Sequence, residues 1–108
     1  MRGPQKMPSE DQTIELAEMF RLMGDATRLR IILACQEKPV FVNELAARLG
    51  SSQSLISHHL RLLRAARILK AERHGKQVFY SPADEHISTM IADMVHHVGE
   101  TVAEEAEV

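Results

Sequence analysis

The chain predicts a mainly α-helical domain with a β-hairpin wing, a winged helix-turn-helix whose terminal helices pair two copies. Three observations lead there. Apolar residues recur at helical spacing as far as Ala65, alternate over Leu69–Arg73 and Gln77–Ser81, and return to helical spacing from Asp84. A short helical stretch, a Gly-Ser turn and a longer polar-tipped helix follow one another between Glu44 and Ala65. At 108 residues the chain holds one small domain, whose core gains much from oligomerisation.

Residues 1–10 contain two prolines and no apolar period, so a mobile tail is expected ahead of a domain over residues 11–102. A first helix from Thr13 to Met23 carries Leu16, Met19, Phe20 and Met23 at helical spacing; Gly24 ends it, and Asp25 caps the next. The second, Ala26 to Gln36, sets Leu29, Ile32 and Leu33 on one face and Arg28 and Arg30 on another, and Pro39 stops it. Asn43 is the expected cap of a third helix, Glu44 to Leu49, closed by Gly50; Ser51 or Ser52 then caps a fourth reaching about Ala65. His74-Gly75 is the hairpin signal between two short strands, Val78, Phe79 and Tyr80 are good strand formers, and Pro82 closes the hairpin. Residues 103–108 read as an acidic, frayed end.

Composition narrows the function. No apolar run approaches the roughly 18 residues of a membrane span and no signal-peptide pattern is present, so a cytoplasmic protein is expected. The single cysteine, Cys35, excludes an internal disulfide framework and suits a reducing compartment. The net charge of −2 hides a strong asymmetry. Residues 48–76 hold seven basic residues and one acidic, Glu72, whereas residues 77–108 hold seven acidic residues and no Lys or Arg. A polyanion-binding centre beside a cation-binding end is the natural reading.

The last helix is the richest stretch. At about 100° per residue, with His86 at zero, His97 falls near +20°, Asp93 near −20°, Glu100 near −40° and His96 near −80°. Ile87, Met90, Ile91, Met94, Val98 and Val102 spread from roughly +40° to +160°, so ligand-type residues border an apolar stripe. His86 and His97 stand about 16 Å apart along such a helix, too far for ligands that each lie about 2 Å from one metal ion. Within one straight helix they make no single site. Two helices packed antiparallel would bring Asp84 and His86 of one chain against His97 and Glu100 of the other.

DNA recognition is read from the fourth helix. Ser52, Gln53, Ser54, Ser57, His58 and Arg61 offer short donors and acceptors of the size that reaches base edges in a major groove. Arg64, Arg73 and Lys76 lie beside it and on the wing, where phosphate contacts would set register. His58 and His59 point about 100° apart, so one is expected to pack inward or cap while the other meets DNA.

Taken in order, Gly24-Asp25-Ala26-Thr27-Arg28-Leu29-Arg30-Ile31, Glu44-Leu45-Ala46, Ser57-His58-His59-Leu60-Arg61-Leu62-Leu63 and His74-Gly75-Lys76-Gln77-Val78-Phe79-Tyr80 resemble the ArsR/SmtB family of metal-responsive repressors over roughly residues 13–100. The family often has Pro where Ala26 stands and Gly where Arg67 stands. The resemblance implies a homodimer that binds double-stranded operator DNA without metal and leaves it when metal binds. The spacing of Asp84, His86, His97 and Glu100 is similar to that of the zinc-sensing branch, where these side chains bind across the dimer. Two imidazoles and two carboxylates suit Zn(II), with Co(II) or Ni(II) as competitors. Asp93 is a rival carboxylate, and His96 is read as solvent-facing or supporting. The resemblance also implies a relay from the second ring nitrogen of His97 to a carbonyl at Arg67. The family's thiolate site is absent: Phe41 and Asn43 occupy that region, and Cys35 is expected in the core.

Two other classes compete. One is a regulator of the same family with a non-metal signal, its His and acidic residues forming only a polar dimer rim. The other is a metal-dependent hydrolase, which needs an open coordination position that four protein ligands would close.

Overall fold

The structure, a computed structural model, describes residues 6–100. Helix α1 (Glu10–Met23) begins ahead of the expected Thr13, because Ser9 and Gln12 form a reciprocal capping box that satisfies its first N–H groups. Helix α2 (Ala26–Glu37) starts as expected on Asp25, whose carboxylate accepts from the Arg28 N–H over 2.9 Å. Its buried side is Ile31, Ile32, Ala34 and Cys35, while Leu29, expected on the core face, remains 37% exposed.

The next segment departs from expectation. Val40–Phe41 form a short strand, β1, and helix α3 (Val42–Leu49) follows at once. Phe41 takes the N-cap position with no side-chain cap, so Asn43 is not the cap; it lies inside the helix. The reason is tertiary: β1 pairs antiparallel with a later strand, Val40 opposite Tyr80 and Phe41 opposite Phe79, which holds Phe41 extended and starts the helix after it. Gly50, in the left-handed region at φ 62°, ends α3, and Ser52 caps α4 (Gln53–Ala65) by accepting from the Leu55 N–H.

Strands β2 (Leu69–His74) and β3 (Gln77–Pro82) complete an antiparallel sheet of order β1-β3-β2. His74 pairs with Gln77, so the turn residues are Gly75-Lys76, not His74-Gly75. Gly75 supplies the positive φ that a tight two-residue turn requires, at 66°. Helix α5 (Glu85–Val98) starts on Asp84, whose carboxylate accepts from the Ile87 N–H over 3.1 Å.

The core sits between α2, α3, α4 and the sheet, where Ile31, Ile32, Val40, Leu45, Ile56, Leu63 and Ile68 have no exposed surface. Helix α1 contributes Leu22 and Met23, and α5 contributes Ile87 and Ile91. Beyond those contacts both terminal helices turn apolar side chains outward: Ile14, Leu16 and Phe20 on α1, and Met94, Val95 and Val98 on α5. Among the described residues no helix is long and apolar enough to cross a membrane.

Candidate DNA interface and candidate metal half-sites

Helix α4 sorts its residues by face. Ile56, His59, Leu60 and Leu63 are buried, which directs Ser54, His58 and Arg61 outward within an arc of about 60°. Gln53 is also exposed at the first turn, Ser57 is half-buried on the flank, and the Ser52 hydroxyl oxygen is engaged as the cap. On the wing, Arg73 and Lys76 are exposed. The outward face therefore carries short hydrogen-bonding side chains with one arginine, and the wing tip carries cations. Arg64 departs from this group: it lies on the flank of α4 and lines a groove facing α5.

The adjacent histidines divide as expected. His58 is exposed, while His59 is 9% exposed, with its Nδ1 shut from solvent and without a partner. Burial and the nearby Arg28 guanidinium hold the His59 imidazole below its ordinary pKa, against the opposing pull of Asp25. Cys35 is 1% exposed, and burial pushes its thiol up to about 12, which makes it a core residue and a poor metal ligand. At the start of α3 the Phe41 ring packs edge-to-face on Phe79 at 5.6 Å, and Phe79 contacts His74 in the same manner at 5.5 Å.

The ligand-type residues fall at the two ends of α5. Asp84 is extended, with φ −160° and ψ −179°, so it leaves the helical path, and with His86 it lines the same groove of about 600 Å³. Its capping bond uses Oδ1 and leaves Oδ2 available. His96 and His97 are exposed in the last turn, and Glu100, also exposed, follows the αR cap residue Gly99 with its N–H on the His97 carbonyl. Asp93 is exposed between the two ends and lines a second groove with His86, Met90 and Met94. Among the described residues of one chain, no three His, Cys, Asp or Glu side chains come together as a metal site. The donor chemistry fits zinc as two half-sites, each incomplete alone.

The surroundings of the Asp84–His86 pair are not foreshadowed by any spacing in the sequence. Their groove is also lined by Arg64, Arg67 and Lys70, with apolar walls from Met19, Leu69 and Ile87. Arg67 is a non-glycine residue at φ 60°, and its guanidinium pairs with Glu15 on α1. The substitution of Arg for the Gly common in the family was the available signal for that backbone.

A helix-turn-helix with a polar outward face and a cationic wing defines a DNA-binding transcriptional regulator. The chain belongs to the arsR family of bacterial regulatory proteins, whose model matches residues 25–71. This is a family of regulators, not of enzymes. The chain is 38% identical over 93 residues to a transcriptional repressor SmtB homologue of Synechocystis sp., covering 86% of this chain and 70% of that protein. It is similar to the NMR structure of the cadmium metal-sensor CmtR from Mycobacterium tuberculosis, at 35% identity and TM-score 0.65, over 76% of this chain and 85% of that one. The fold is shared with a homodimeric winged helix-turn-helix domain of Mycobacterium bovis, at 21% identity and TM-score 0.77, over 90% and 89% of the two chains.

Proposed function

We propose that this regulator is a zinc-responsive repressor, bound to operator DNA as a metal-free homodimer and released when Zn(II) is held between the α5 helices. The observation that carries the reading is α5 itself. Its apolar stripe is buried only at Ile87 and Ile91, Met94, Val95 and Val98 are exposed, and side chains of metal-ligand type stand at both ends of the helix. A second copy packed antiparallel would cover the stripe and join Asp84 and His86 of one protomer to His97 and Glu100 of the partner subunit. A bound ion would supply a cross-link between the two helices. Co(II) and Ni(II) suit the same donors, and Asp93 or His96 would serve if one ligand is replaced.

The chain's own residues do the rest. Gln53, Ser54, Ser57, His58 and Arg61 read the major groove, Ser52 adds its hydroxyl proton, and Arg73 and Lys76 hold phosphates. Arg64 reaches the backbone from the flank. In the dimer the ring of His97 donates its second N–H to the Arg67 carbonyl; because Arg67 sits with His86 at the opposite end of α5, that relay runs between subunits. Repression, homologous metal sensing and homodimer formation in the proteins named above support the reading.

The test is fluorescence anisotropy on a duplex selected in vitro. Zinc should weaken binding of the wild type by about 5–150-fold, the usual range of effector coupling, and His86→Ala should abolish that response. Unchanged affinity in excess zinc would instead favour a non-metal effector, a reading to which the basic lining of the groove lends weight.

A further inference from the structure

Among the described residues, one hydrogen bond joins α5 to another element: Gln36 Nε2, in the last turn of α2, donates to the Ser88 carbonyl over 2.6 Å. A carbonyl acceptor demands the amide's NH2 edge, so the orientation is set, and Gln36 Oε1 is left shut from solvent with no partner. A buried unpaired acceptor is costly, and an apolar residue of similar size would seat α5 without that cost. In the core α5 is held by apolar side chains, Ile87, Ile91 and the half-buried Met90, and apolar contacts are non-directional and permit sliding. Ser88 lies in the turn that follows Asp84 and His86, and α2 runs from there back to Arg28, beside His59 of α4.

We propose that Gln36 is a positioning residue that couples the seat of α5 to the body carrying the DNA-reading helix. It thereby sets how strongly metal at the ends of α5 changes operator affinity; the inference rests on the metal-responsive reading above. A displacement of α5 by about 1 Å stretches this bond past hydrogen-bonding distance, so the link has two states, made and broken.

The experiment uses the full chain with Gln36→Leu and, as a second apolar replacement, Gln36→Met. Operator affinity is read by anisotropy with and without zinc, zinc affinity by competition with a chelator, and stability by thermal melting. The wild type should show the zinc-dependent loss of about 5–150-fold, and both variants less than about threefold. Metal-free operator affinity and zinc affinity of the variants should stay within about twofold of wild type, since the unsatisfied Oε1 goes with the bond and the Ser88 carbonyl keeps its place in the α5 hydrogen-bond ladder. A variant that keeps the wild-type zinc response, whatever its melting temperature, overturns the coupling role and leaves the metal-responsive reading standing. A wild type that shows no zinc response overturns both.

Discussion

The body of this molecule and its terminal helices are built to different standards. In the body, α2, α3, α4 and the sheet enclose side chains with no exposed surface, Leu45, Ile56 and Leu63 among them. On the terminal helices, Phe20 is 53% exposed, Met94 54% and Val98 78%. Scattered exposed apolar residues are ordinary, but here they recur on two elements that also carry buried residues on their other sides. The body is finished within one chain. The terminal helices leave apolar side chains open to solvent, and the candidate ligands Asp84, His86, His97 and Glu100 stand along one of them.

The largest expected effect separates the two regions. Leu63→Ala opens a cavity in a closed core and should cost about 2–5 kcal/mol in chemical unfolding, a large share of a small domain's stability. Val95→Glu replaces a residue that is 53% exposed, so the protomer's fold should survive, while sedimentation at fixed protomer concentration should show the dimer dissociating. A Val95→Glu protein that stays as dimeric as the wild type would remove α5 from the interface.

A second, smaller effect lies where the body meets DNA. His59 is buried under α4, facing Asp25 and Arg28 from α2 and His58 on its own helix, and its pKa is lowered in the fold by burial first and Arg28 second. Its stabilising contribution is therefore complete above the ordinary imidazole value near 6.5 and falls as pH drops below it, because the unfolded chain takes up the proton first. Below the folded pKa the loss levels off. Melting curves between pH 7.5 and pH 5 should show this for wild type, and His59→Leu should flatten it. An equal pH slope in the variant would assign the dependence to other groups.

How much of this was legible in the chain follows the same division. Local chemistry was readable: Asp25 is a cap, one of Ser51 and Ser52 had to be, the alternation placed two strands around a turn that proved one residue further on, and helix geometry required His58 and His59 to part, one inward and one outward. What escaped was set by distant pairing. Two residues, Val40 and Phe41, carry no period of their own, yet their ladder to β3 starts α3 at Val42 and overrides the capping preference of Asn43. The placing of Asp84, His86, His97 and Glu100 at the two ends of α5 was legible, whereas the cations around Asp84 and His86 were not. Arg64, Arg67 and Lys70 reach that groove from α4, the following turn and β2, and no spacing rule connects them to α5.

Arg67 offers the finest test of the joint between the regions, because it belongs to both. Its backbone stands at φ 60°, a conformation that costs a non-glycine residue about 1–2 kcal/mol, while its side chain pairs with Glu15 on α1. That ion pair is exposed, at 77% and 53%, and such pairs contribute about 0–1 kcal/mol. Arg67→Gly removes the strain and the pair together; glycine's greater loss of chain entropy takes back about 0.5–1 kcal/mol, so a small net gain in melting temperature is expected. Arg67→Gln keeps the strain and loses only the pair, so it should melt slightly below wild type. The order Gly above wild type above Gln means that the backbone strain at the α4–β2 joint outweighs the tie to α1. The order with wild type highest means that the Glu15 contact holds α1 to the body more firmly than its exposure implies.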